Sequence, residues 1–241
     1  AEINSTEPTG SFQPTVFRGT GLPPGLLLFS SRELFEQLVP AATCEDFEAG
    51  GFTGIDGFAA PLDSTTSNAF FAPGDIVEGI TIADDPINDT GGGSASGLVG
   101  VAAGQFGTPS QSVVANTFAD SLNITFDVPQ ALVALDVVNF TAEDAVDVSF
   151  FDATDTLIGT LNGPVGPAGA FLGVQSETPI ARVNVFTVSG AGAEGGDNIC
   201  FSNSSLLDSQ PVPTLSAWSI IALSLLLMLA AFFGLRMRAS A

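Results

Sequence analysis

From Ser121 to Val128 apolar and polar residues alternate without a break, and that rhythm allows the segment one regular structure. Leu122, Ile124, Phe126 and Val128 face one way, Asn123, Thr125 and Asp127 the other, as in a strand with one buried face. Val146, Val148 and Phe150 repeat the pattern, as do Ala181, Val183 and Val185 around Arg182 and Asn184. Ala131 to Phe140 is more continuously apolar and reads as an inner strand. Turn chemistry at Asp155-Thr156, Asn162-Gly163-Pro164, Gly166-Pro167 and Gly190 to Gly196 separates these segments, and Gly91 to Gly97 reads as a mobile loop. Before them, Ser30 and Glu33 have capping-box spacing, Leu34 and Leu38 stand at i and i+4, and Pro40 stops the run, which predicts one short helix. The expected fold is mainly β: an antiparallel β-sandwich of jelly-roll type with one short N-terminal helix.

Charge then narrows the chemistry. The 241 residues carry 26 Asp and Glu against 5 Arg, with no Lys, for a net −21; His and Tyr are absent. Without His, every Ser-His, Cys-His or His-metal arrangement is excluded. Such an acidic surface repels a phosphate backbone, so nucleic acid is not an expected partner. No catalytic residues are assigned. Paired carboxylates could in principle hydrolyse glycosides, but the Trp and Tyr platforms usual for sugar rings are missing, the sole Trp lying at position 218.

Trp218 to Leu235 is uncharged and almost wholly apolar. With Leu215 to Ala217 it reaches the length of a bilayer-spanning helix, expected at 215–235. Arg236 and Arg238 follow, and positive residues stay in the cytoplasm, so the tail would sit in the inner membrane at least transiently with residues 1–210 outside. The chain opens on Ala1-Glu2 without an apolar leader, from which we expect a removed signal peptide and an exported protein. Three regions result: a polar arm at 1–26, a β-sandwich domain at 27–208 and a tail at 209–241.

Pro211-Val212-Pro213-Thr214-Leu215-Ser216-Ala217-Trp218, an apolar helix and a terminal Arg cluster resemble the IPTL-CTERM sorting signal, a variant of the PEP-CTERM tails of Gram-negative bacteria. Pro213, Thr214, Leu215, Ser216 and Trp218 match its usual Ile-Pro-Thr-Leu-Ser-Glu-Trp-Gly; Val212, Ala217 and Ser219 depart from it. The resemblance implies sorting to the cell surface or extracellular matrix, with an exosortase-like membrane protease as processing partner. Residues 30–203 in turn are similar to the β-sandwich domains found upstream of such tails, through Phe35, Asp46-Phe47-Glu48, Val148 to Ala153, Phe171 to Val174, Thr178 to Val183 and Asp197-Asn198-Ile199.

Cys44 and Cys200 are the only cysteines. They fall on the first and last expected strands, which a jelly roll can make neighbours, so a disulfide is expected, two buried thiols being the alternative. The same neighbourhood would bring Asp46 or Glu48 to Asp197 and Asn198, oxygen ligands suited to a structural Ca²⁺; a solvated acidic face is the competing reading. The leading functional expectation is a non-enzymatic structural protein of the cell surface or matrix, assembling with itself into a fibre or layer. The arm would then be held by strand addition to a neighbouring subunit. The alternative is an anchored, lectin-like module binding extracellular glycans, with or without Ca²⁺.

Overall fold

Two long strands organise the molecule. In the computed structural model the described residues are 24–84, 97–115, 120–140, 144–187, 193–204 and 206. The chain divides into two compact units, residues 1–205 and 206–241. Its strands are β1 (Leu26–Leu28), β2 (Thr43–Glu45), β3 (Ile55–Ala59), β4 (Leu62–Asp63), β5 (Ile80–Asp84), β6 (Gly97–Val101) and β7 (Ser112–Ala115), then β8 (Leu122–Asn139), β9 (Asp144–Phe151), β10 (Leu157–Val165), β11 (Ala170–Thr187) and β12 (Glu194–Ser202). One helix, α1 (Arg32–Leu38), lies between β1 and β2. The sheet runs β10-β9-β11-β8-β12-β7-β6-β3, with β1 on β11, β2 on β12, and β5 joining β4 to β8. Every strand pair is antiparallel.

β8 and β11 each serve two parts of the sheet. The first half of β8 pairs β5 and the end of β11; its second half pairs β12 and the start of β11, with register slips between Gln175 and Arg182. Side chains from both halves, Leu122, Ile124 and Phe126 with Val133, Leu135 and Val137, enter one buried cluster together with Val148, Phe150, Leu172, Val174, Val183 and Val185. The sheet therefore folds over its own core, and burial of these aliphatic and aromatic groups is the main favourable term holding it.

Several expectations are corrected here. The segments Ser121–Val128 and Ala131–Phe140 are a single strand, not two, since a break in pairing around Pro129 lets one strand bend between layers. Val128 sits at that bend and is 56% exposed, whereas Leu122, Ile124 and Phe126 are buried as the alternation requires. Asn162-Gly163-Pro164 is not a turn but the end of β10, where Pro164 pairs with Ala145. β10 is the last strand in the order, and an edge strand is where a sheet tolerates proline. Gly195 and Gly196 likewise belong to β12. A Cβ on Gly195 would lie 2.5 Å from the Val113 carbonyl oxygen and 2.3 Å from Val114 Cγ1, so glycine there marks close strand approach rather than a turn.

The helix forms where expected but one residue late. Ser31, not Ser30, is the N-cap, its hydroxyl accepting from the Leu34 N–H at 3.2 Å. Leu34 and Leu38 are largely exposed; Phe35 is the buried side chain, packed edge-on to Phe29 with ring centroids 5.1 Å apart and near Phe171. The turns at Asp155-Thr156 and Gly166-Pro167 form as read. Asp152 Oδ1 accepts from the N–H groups of Thr154 and Thr156, and the Gly169 N–H bonds the Gly166 carbonyl. The arm up to residue 23, most of the Gly91–Gly97 loop and the hydrophobic helix at 215–235 lie outside the described residues.

Candidate functional site

Cys44 and Cys200 face each other in the β2–β12 ladder and are joined by a disulfide across 156 residues of sequence. Immediately before Cys200, β12 carries a bulge. The register slips between Asp197 and Cys200, and Asn198 takes a left-handed φ of 48°. The bulge lies beside the start of α1, whose Arg32 reaches the Asn198 carbonyl.

Asp197 is 2% exposed. Its Oδ1 accepts from the Asn198 N–H at 2.6 Å, and its Oδ2 accepts from the Asn198 amide at 3.0 Å and from the Ser110 hydroxyl. Burial pushes its carboxyl up to about 7, with the charges of Asp136 and Glu48 adding to the rise against the lowering effect of those hydrogen bonds. Asn198 Nδ2 also donates to Asp136 Oδ2 at 3.0 Å, so one amide joins two carboxyl groups. Asp136 Oδ1 in turn meets Arg32 Nη2 at 2.8 Å. The Arg32 guanidinium lies over the Phe171 ring, 4.9 Å from its centroid, and reaches the Asn198 carbonyl at 3.5 Å.

These groups line a cavity of about 410 Å³ whose walls include Arg32, Ser110, Asp136, Val138, Phe171 and Asp197. It offers an anionic acceptor in Asp136, a guanidinium with donors in its plane, a hydroxyl, and a carboxyl held largely protonated below about pH 7 that can donate as well as accept. Apolar walls beside a few convergent polar groups are the usual form of a small-ligand site.

Of the four oxygen-ligand residues expected from the sequence, Asp197 lines this cavity, Asn198 is hydrogen-bonded to it and to Asp136, and Glu48 is near enough for its charge to act on Asp197. Glu48 is otherwise engaged by Gln111, accepting from its N–H at 3.1 Å and its amide at 2.9 Å. Asp46 faces solvent and accepts from the Glu48 N–H at 3.1 Å. Among the described residues no group of three or more His, Cys, Asp or Glu is arranged to hold a metal. Glu45, grouped in the sequence with its exposed neighbours, is buried instead. Its two oxygens accept from the N–H groups of Phe47 and Val77, and burial raises its carboxyl.

Sequence reasoning did not find Arg32, Ser110 or Asp136. Asp136 had a visible signal, being the one charge in the apolar run Ala131 to Phe140. Ser110 had none.

Fold and site together define a mainly β, antiparallel domain with a mixed arginine–carboxylate cavity beside a disulfide. Residues 210–239 match the IPTL-CTERM motif, which covers the expected Pro213, Thr214, Leu215, Ser216, Trp218, Arg236 and Arg238, all outside the described residues. A motif of this kind points to an exported, surface-sorted protein. No curated protein matches the chain. Among solved structures it is similar to a family 29 carbohydrate-binding module complexed with mannohexaose, at 13% identity over 70% of this chain and 95% of that one, TM-score 0.32. It is also similar to a family 11 carbohydrate-binding module of a Clostridium thermocellum cellulosomal cellulase, at 8% identity over 68% and 96% of the two chains, TM-score 0.27. The enzymatically active domain of a bacteriophage CBA120 tailspike protein matches at 14% identity over 61% of this chain and 19% of that one, TM-score 0.26. TM-scores this low do not establish a shared fold.

Proposed function

We propose that this chain is an exported, surface-sorted binding module whose cavity takes a sugar ring of an extracellular glycan and does not turn it over. The observation that carries the reading is the convergence of Arg32, Asp136, Asp197 and Ser110 on one cavity beside Phe171. Vicinal hydroxyls both donate and accept. Asp136 receives their protons, while Arg32 and a protonated Asp197 supply hydrogen bonds to their oxygens. Phe171 and Val138 give an apolar surface for the ring's C–H face. The IPTL-CTERM motif supports surface placement, with the membrane and an exosortase-like protease as the tail's partners. Self-assembly into a fibre or layer, the leading expectation from the sequence, rests on the arm and the tail, and neither is among the described residues.

A glycan array probed with the full chain tests the reading, followed by titration of the best ligand against Ser110→Ala and Asp136→Asn. We expect selective binding that weakens at least about tenfold, or about 1.4 kcal/mol, in Asp136→Asn, with no released product on incubation. An array without binding, or variants that bind as the parent does, would overturn it.

A further inference from the structure

Away from the cavity, the bend in β8 brings its two ends to the same end of the sheet. Asp120 lies two residues before β8 begins, and Glu194, which opens β12, stands opposite Asn139 at the end of β8. Glu194 is 2% exposed and Asp120 5%. The Thr187 hydroxyl donates to Glu194 Oε2 at 2.5 Å, while Glu194 Oε1 and Asp120 Oδ1 are both buried without a hydrogen-bond partner. Thr187, which holds Glu194, lies two residues beyond Val185, the partner of Leu122, and Asp120 lies two residues before Leu122, so register brings the two carboxyl groups to one place. The charge of Asp120 accordingly acts on Glu194.

A pair of buried like charges with bare oxygens is among the costliest arrangements a fold can hold. A neighbouring cation is the ordinary remedy. The two arginines among the described residues are engaged elsewhere, Arg32 with Asp136 and Arg182 with Asp155, and the sequence has no Lys.

We propose that Asp120 Oδ1 and Glu194 Oε1 ligate a Ca²⁺ ion that ties the start of β8 to the start of β12. All the donors are hard oxygens, and Ca²⁺ accepts an irregular shell completed by neutral oxygens and water. Among the described residues no third acid joins the pair, so the site belongs with the weaker Ca²⁺ modules of extracellular proteins, with Kd on the order of 10⁻⁴ to 10⁻³ M. This site is distinct from Asp46, Glu48, Asp197 and Asn198, and it stands whether or not the cavity binds glycans.

The test uses the full chain in detergent, stripped with chelator, with equilibrium dialysis against radioactive Ca²⁺ and thermal melts in Ca²⁺ or Mg²⁺. We expect one Ca²⁺ per chain and a melting temperature that rises with Ca²⁺ more than with Mg²⁺. Glu194→Gln, which keeps the shape and an acceptor for Thr187, should weaken Ca²⁺ binding at least about tenfold, while Asp46→Asn should leave it unchanged. Dialysis of the parent chain gives the stoichiometry even where the variant fails to fold. No bound Ca²⁺, equal shifts with Mg²⁺, or a loss in Asp46→Asn without one in Glu194→Gln would overturn the proposal. So would a melt that ignores Ca²⁺ and rises only as pH falls, the behaviour of two carboxyls sharing a proton.

Discussion

Arg32, at the first position of α1, meets Asp136, the single charge in the second half of β8, at 2.8 Å. Both side chains are about three-quarters buried, so the pair is screened less than a surface ion pair and leaves an uncompensated charge when one member is removed. Arg32→Ala should lower stability by about 1–3 kcal/mol, measured by urea denaturation. The same variant should weaken any cavity ligand, because the Arg32 donors are lost with the pair.

The protonation of Asp197 gives the fold a pH dependence of definite sign. Its carboxyl is raised from 3.8 to about 7 in the folded chain. The stability it contributes is complete below the unfolded value and is lost as pH rises through about 7, at no more than about 1.4 kcal/mol per pH unit. Glu45, also raised by burial, acts in the same direction. Denaturation followed from about pH 4 to about pH 8 should show stability falling, and Asp197→Asn should flatten the upper part of that fall.

Replacing Cys44 and Cys200 together by Ala should destabilise the domain by about 3–5 kcal/mol, the range for a loop of this length. A smaller loss would mean that the β2–β12 pairing is retained in the unfolded chain. Comparison of oxidised and reduced protein by urea denaturation checks it without mutagenesis.

The helix cap offers a narrow test of register. Ser31→Ala should cost about 1 kcal/mol, since it removes the acceptor for the Leu34 N–H. Ser30→Ala should stay within about 0.5 kcal/mol. The reverse ranking, read from thermal melts of the two variants, would place the cap at Ser30.

Period-two alternation revealed the strands wherever one face is buried and the other is polar, as in β9 and in the first half of β8. It failed where pairing, not hydrophobicity, decides. Nothing local says that Pro129 lies inside a bending strand, or that Pro164 is harmless on an edge. Gly195 likewise reads as a turn until Val113 is placed beside it. The cysteine pair was legible because only two exist. Part of the site was legible through Asp197 and its neighbour Asn198, but Ser110 and Arg32 reach it by long-range contacts, 87 and 166 residues distant from their partners on β12. No window of sequence contains such a contact.

The disulfide also changes what a protease can do. Residues 44 to 200 form a covalent ring that contains every strand of the sheet except β1, the first residue of β2 and the end of β12. A single cut in any loop between them opens the ring but releases no fragment, and the severed pieces keep their places in the ladders. The 210–239 motif lies outside that ring, so trimming there shortens the chain and leaves the ring closed. A protein sorted to the cell surface, where nicking is common and resynthesis is not, can be damaged once and remain one molecule.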